Sequence, residues 1–135
     1  MNAIVRDYRN DDLDDVNCLL KESFSIEKRN FQDLCFREIV IEIDDKVVGY
    51  LLLTRVLNPI ENKYYFLIDY MCVSENYRRK GFGKQLLEYA YQIAKGENAM
   101  YLQLSCSYFR VAAHHLYKSC GYFKRESDIF RKVIV

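Results

Sequence analysis

Apolar positions in this chain switch between two periods, and the switches divide it into elements. Leu13, Val16, Leu20 and Phe24 recur at intervals of three and four, which predicts a helix over Asp11–Phe24 with that face buried. A short strand, Ile4–Tyr8, precedes it. Ile39, Ile41 and Ile43 alternate with other residues along Cys35–Ile43, and Asp44-Asp45-Lys46 turns the chain into Val47–Val56, a hairpin. Asn58-Pro59 marks a loop before Tyr64–Val73, whose aromatic and branched residues read as a buried strand. Helical spacing returns with Phe82, Leu86, Leu87, Ala90, Ile93 and Ala94, giving a helix from about Lys80 to Lys95 that Gly96 stops. A strand over Met100–Cys106 follows. Ala113, Leu116, Tyr117 and Cys120 then share one face of a helix over Phe109–Cys120, ended by Gly121. Two C-terminal strands, Tyr122–Glu126 and Asp128–Val135, complete the pattern, while Ser25–Leu34 stays ambiguous and partly helical. The order predicts one α+β domain over residues 1–135, a mixed sheet with helices on both faces.

The most informative stretch is Arg78-Arg79-Lys80-Gly81-Phe82-Gly83-Lys84, where the fourth strand gives way to a helix N-terminus. Unpaired backbone N–H groups and the positive end of the macrodipole favour an anion there. Gly81 and Gly83 allow close approach of the backbone to a phosphate, and Arg78, Arg79, Lys80 and Lys84 add charge. A pyrophosphate-binding turn is the natural reading. It is not a dinucleotide fingerprint, which needs a third glycine and an acidic residue about twenty positions on, nor a P-loop, which needs Gly-Lys-Ser/Thr. Against it stands the bland reading of a basic, solvated helix start.

Composition narrows the classes. The 50% hydrophobic content argues against disorder, and a net charge of +1 gives no reason to expect nucleic acid. Asp11, Asp12, Asp14 and Asp15 read as a helix start complementing its dipole. The five cysteines are odd in number and scattered, without Cys-x-x-Cys, and the histidines are two adjacent residues. Reduced thiols and no metal site are expected. No apolar run reaches the length of a membrane span, and Arg6 and Asp7 break any leader pattern, so a cytoplasmic chain is expected.

A second motif, Arg110-Val111-Ala112-Ala113-His114-His115-Leu116-Tyr117-Lys118-Ser119-Cys120-Gly121-Tyr122, lies on the last helix. With the glycine turn it resembles the GNAT N-acetyltransferase superfamily, which carries Arg/Gln-x-x-Gly-x-Gly/Ala after its fourth strand and Asn-x-x-Ala-x-x-Phe/Leu-Tyr-x-x-x-Gly-Phe/Tyr on its last helix. The likeness runs over nearly the whole chain. Arg110 stands where the family often has Asn, and Ser23–Phe36 matches nothing identifiable. The resemblance implies a fold whose fourth and fifth strands splay to admit the cofactor. It implies acetyl-CoA as co-substrate and direct transfer to a primary amine, of a small molecule or a peptide, in a ternary complex. Backbone groups around Met71, Cys72 and Val73 would hold the pantetheine arm, Arg78 through Lys84 the pyrophosphate, and Arg110 part of the arm.

Two side chains are candidates for the chemistry. Tyr117 falls at the motif tyrosine, whose hydroxyl protonates the leaving thiolate; the plainer reading is a core tyrosine. Asp69 is expected to share a strand face with Met71 and Val73 and to act as base or cation anchor; the plainer reading is a structural hydrogen bond. His114 and His115 point about 100° apart and read as surface or packing residues, and Cys106 has no base fixed beside it. A non-catalytic acyl-CoA-binding module and a protein-interaction domain are the rival readings. A homodimer is compatible with all of them.

Overall fold

The hairpin that the alternating isoleucines predict is the centre of the molecule. In the computed structural model, which describes residues 2–27 and 36–135, β2 (Phe36–Ile43) and β3 (Lys46–Asn58) pair antiparallel around Asp44 and Asp45. Both turn residues have positive φ, 50° and 66°, as a tight primed turn demands. β1 (Ala3–Asp7) pairs antiparallel with β2, and β4 (Lys63–Val73) with β3. β5 (Leu102–Leu104) lies parallel to β4, a pairing that requires the crossover helix α2 (Phe82–Gly96). The sheet order is therefore β1-β2-β3-β4-β5. The other helices are α1 (Leu13–Phe24), entered through a 3-10 turn at Asn10–Asp12, and α3 (Val111–Ser119).

Each sheet face has its own core because side chains alternate along the strands. Val16, Leu19 and Leu20 of α1 pack on Val40, Val47, Tyr50 and Cys72. On the opposite face Phe82, Leu86, Leu87, Ala90 and Ala94 of α2 cover Ile39, Ile41, Leu51, Leu53, Phe66 and Ile68, with Leu116 and Tyr117 of α3 at the margin. Each fully buried aliphatic side chain such as Leu86 contributes roughly 1.5–3 kcal/mol. Helices on both faces of a mixed sheet are thus as the periodicity implies.

The acidic stretch does more than complement a helix dipole. Arg6 grips the Asp12 carboxylate with both terminal nitrogens, at 2.8 and 2.9 Å, and its Nε reaches Glu42 at 2.6 Å. Asp12 also accepts the Arg9 amide at 2.7 Å, and Asp15 accepts the Val47 amide at 3.0 Å, tying α1 to the hairpin. The hydrogen bond from Arg6 holds the Asp12 carboxyl below its ordinary value.

The C-terminal expectation fails. Residues 122–135 form no strand, and after the Tyr122 amide bonds the Tyr117 carbonyl, residues 123–135 make no backbone hydrogen bond to a described residue. Phe123, Ile129, Phe130, Val133 and Ile134 are all exposed, so no sheet neighbour fixes the segment as a strand. The other differences are at element ends. The fifth strand is shorter than Met100–Cys106, Ser25–Glu27 is not helical, and the rest of the ambiguous stretch, with Cys35, lies outside the described residues.

Candidate functional site

A bulge in β4 organises the site. The β3–β4 register slips between Tyr50 and Leu52, and Tyr70 takes φ 52°, a left-handed conformation that costs a non-glycine residue strain. The extra residue reverses the alternation. Phe66 and Ile68 face α2, and so do Met71 and Val73 beyond the bulge. Asp69 is paired with Leu52, which packs on the α1 side, so Asp69 lies on the face opposite Met71 and Val73. The expected shared face is corrected by that one bulge. Asp69 is also exposed, not buried, and Tyr70 beside it meets Phe24 at the end of α1 edge-on at 5.3 Å.

Past the bulge the sheet opens. β4 and β5 pair only through Phe66↔Leu102, Leu67↔Gln103 and Ile68↔Leu104. From Asp69 to Val73 the strand has β3 on one side and no strand on the other among the described residues. The splay leaves the backbone of Met71–Val73 along an open slot beside β4, and at Gly83 both Met71 and Leu116 of α3 come close. Cys72 contributes only main chain there: its side chain is buried against α1, and burial pushes its thiol up to about 11.

The slot leads to the glycine turn. A 3-10 turn, Glu75–Tyr77, follows β4, then Arg79 at φ 64° and Gly81 at φ 83° swing the chain into α2. A Cβ on Gly81 would meet nothing within 4 Å, so the glycine is needed for its backbone angle and the space above it is open. Gly83 differs. A Cβ there would stand 3.2 Å from Leu116 Cδ2 and 3.3 Å from Met71 Cε, so this glycine seats α2 against α3 and β4. Arg78 donates Nε to the Val73 carbonyl at 2.8 Å, bracing the turn against the strand end. Lys80 lies 5.8 Å over the Tyr77 ring, and Phe82 is buried in the core, so its main chain alone faces the turn. Lys84 borders a pocket of about 140 Å³ with Glu88, Tyr91 and Tyr122, between α2 and the end of α3.

α3 stands close by, at Gly83. Tyr117 is half-buried, its ring 6.1 Å from that of Tyr122. Burial pushes its phenol above the ordinary value, with Cys106 adding to this and Arg110 opposing it. Arg110 is exposed at the start of α3. His114 Nε2 lies 2.9 Å from the Ser107 carbonyl and straps the loop after β5 to the helix, while His115 is exposed. No group of three or more His, Cys, Asp or Glu among the described residues is placed to hold a metal.

Reading the residues alone missed three features. The strained Tyr70 leaves no signal in residue type. The Arg78 brace looks like free charge in a sequence. Glu38, buried on the α1 face and bonded by the Tyr50 hydroxyl at 2.8 Å, was detectable as a carboxylate in a strand with helices expected over both of its faces.

Comparison with known proteins adds independent findings. A family model described as the acetyltransferase (GNAT) family matches residues 3–122. No curated protein sequence matches the chain. Among solved structures, an acetyltransferase of Trypanosoma brucei superposes with a TM-score of 0.82 at 16% identity, over 98% of this chain and 100% of that one. A ribosomal-protein-alanine N-acetyltransferase of Brucella melitensis biovar Abortus 2308 gives 0.80 at 18% identity, over 100% and 99%. An aminoglycoside acetyltransferase from an uncultured soil metagenomic sample gives 0.83 at 18%, over 98% and 96%. At these identities the structural likeness speaks for the fold. No described helix is long and apolar enough to cross a membrane.

Proposed function

The chain belongs to the GNAT acetyltransferase family, and from that premise we propose that it moves an acetyl group from acetyl-CoA to a primary amine by direct transfer in a ternary complex. The observation that carries the reading is the slot itself. Strand pairing stops at Ile68↔Leu104, and the unpaired length of β4 runs to a helix start whose Gly81 is open above. An extended thioester arm fits the former and a pyrophosphate the latter.

In this reading main-chain groups of Met71–Val73 hold the arm, and one N–H there stabilises the oxyanion that forms on the thioester carbonyl. Backbone at Gly81, Phe82 and Gly83 receives the pyrophosphate, with Arg79, Lys80 and Lys84 supplying charge and Arg78 holding the turn in shape. Arg110, at the head of α3, adds a donor where the family often has Asn. The neutral amine attacks the carbonyl carbon, the carbon–sulfur bond breaks, and Tyr117 gives its proton to the departing thiolate. The amine's proton leaves to Asp69, directly or through water. Asp69 suits this because it lies on the face of β4 opposite Met71 and Val73 and is open to an acceptor entering past Phe24 and Tyr70.

The acceptor is a small-molecule or peptide amine. Two of the superposed structures are described as acting on a protein alanine and on aminoglycosides, so both chemistries belong in the test. Calorimetry with coenzyme A, followed by thiol release from acetyl-CoA across peptide, diamine and aminoglycoside acceptors, should show binding and then acceptor-dependent release. Binding without release for any acceptor would make the chain an acyl-CoA-binding module. No binding would remove the assignment of the slot.

A further inference from the structure

Three strands set two carboxylates abreast on the α1 side of the sheet. Glu38 pairs with Leu52 and Leu52 with Asp69, so all three share the face that Leu52 turns toward α1. Adjacent strands lie about 4.8 Å apart, which puts the two acidic positions roughly 10 Å from each other with one aliphatic side chain between them. α1 covers the next row, Val40, Tyr50 and Cys72, whereas Leu52 is only partly buried. The two ends differ in surroundings. Asp69 is exposed, and beside it the Tyr70 ring, 45% exposed, suits an ammonium group. Glu38 is buried, and its Oε2 accepts the Tyr50 hydroxyl at 2.8 Å. A carboxylate takes several donors at once, and out of bulk water its pull on a cation is stronger than at the surface.

Given the acetyl-transfer reading, on which this rests, we propose that the acceptor is a linear diamine, one end held at Asp69 and the other at Glu38, with its methylenes across Leu52. A side chain without polar atoms fits methylenes, and it leaves the carbonyl of a peptide or the hydroxyls of an aminoglycoside without a partner there. The end at Asp69 attacks the thioester carbonyl as the neutral amine. A carbon–nitrogen bond forms and the carbon–sulfur bond breaks, the amine proton passing to Asp69 and the Tyr117 proton to the sulfur; exchange with water then resets both groups. The end at Glu38 stays an ammonium, so the products are the monoacetyl diamine and coenzyme A. Glu38 thus selects the acceptor from two strands away.

Transfer to diamines from ethylenediamine to diaminooctane, beside alkyl monoamines of matching length, tests this. The diamine kcat/KM should peak at an intermediate length, at least about tenfold above that of its monoamine, because ends too close or too far apart cannot meet both carboxylates. Glu38→Gln removes the charge and keeps an acceptor for the Tyr50 hydroxyl. It should lower the diamine-to-monoamine ratio of kcat/KM at least about tenfold, mainly through KM, with coenzyme A affinity held within about twofold. Should that variant fail to fold, the length series of the wild-type protein decides. Rates that rise steadily with length in both series, a diamine no better than its monoamine at any length, or a peptide or aminoglycoside that outruns every diamine overturns the proposal and leaves acetyl transfer standing. A folded Glu38→Gln protein with the wild-type ratio does the same. Coenzyme A binding without transfer to any amine removes the underlying reading, and the proposal with it.

Discussion

Tyr117→Phe separates chemistry from packing more cleanly than any other change in this protein. The substitution keeps the ring and its contact with Tyr122, and the hydroxyl it deletes bonds no described residue. Stability should therefore move by less than about 0.5 kcal/mol. If the hydroxyl is the general acid, its removal should slow acetyl transfer on the order of a hundredfold, equivalent to roughly 2.7 kcal/mol at the transition state. Coenzyme A affinity should stay within about twofold, since an acid that acts on the leaving sulfur adds little in the ground state. The pH profile gives a second check. Burial raises the phenol above its ordinary 10.0, so its protonated, active form persists to higher pH, and the alkaline limb it causes should lie above about 10 and vanish in the Phe variant. The assay is a single turnover of pre-bound acetyl-CoA with excess amine, because product release otherwise masks chemistry. A Phe variant that reacts at the wild-type rate there makes Tyr117 a packing residue and leaves water as the acid.

Asp69→Asn should cut turnover more than coenzyme A affinity, with a smaller loss for weakly basic acceptors that are already neutral; equal losses across acceptors of differing basicity would assign it a structural role. Gly83→Val should lower stability by roughly 1–3 kcal/mol as well as weaken coenzyme A binding, because its methyls meet Leu116 and Met71; a variant with native melting would show that α3 yields there. Cys106→Ala should leave turnover within a few-fold, and acetyl trapped on Cys106 would refute direct transfer. Asp12→Asn should cost roughly 3 kcal/mol at neutral pH. Asp12 is held below its ordinary 3.8 by the Arg6 hydrogen bond, so this stability is complete above that value and lost as pH falls through the folded one; acid titrations of both proteins should converge at low pH, and parallel curves would refute the pairing.

What could be read from residues alone was whatever repeats or sits at a boundary. The isoleucine alternation of β2, the helical spacing of α2 and the glycine turn between β4 and α2 each carry a local physical signature, and each is found where the pattern puts it. The bulge has no such signature. It depends on how β4 fits β3 and β5 together, so the face of Asp69 came out reversed. The C-terminal segment shows the complementary failure. Val133, Ile134 and Val135 have strand character, but a strand needs an edge, and which edge receives it is not encoded in the segment. Gly83 is the subtler case, since a glycine that lets a phosphate approach and one that lets a helix approach look the same in sequence.

In the proposed reaction, the bulge would let one strand serve two substrates. In an unbroken β4, Asp69, Met71 and Val73 would share one face, and a base there would compete for space with the thioester arm. One extra residue at Tyr70 leaves Asp69 on the α1 face and turns Met71 and Val73 to face α2 and α3. In the proposed reaction, acceptor and donor would then approach from different faces and meet at the strand edge, where pairing with β5 has just ended. The strain of a left-handed tyrosine, on the order of 1–3 kcal/mol, is offset by the packing of both faces. Tyr70→Gly should accordingly relieve strain and preserve or raise stability, although it loses the Phe24 contact. Deleting Tyr70 outright removes the bulge, yet Asp69 then directly precedes Met71, so simple alternation keeps the two on opposite faces. A deletion variant that folds and binds coenzyme A should therefore keep acetyl transfer within about tenfold. Loss of transfer by several orders of magnitude in such a variant would mean that the bulge itself, and not the face it gives each side chain, is what catalysis needs.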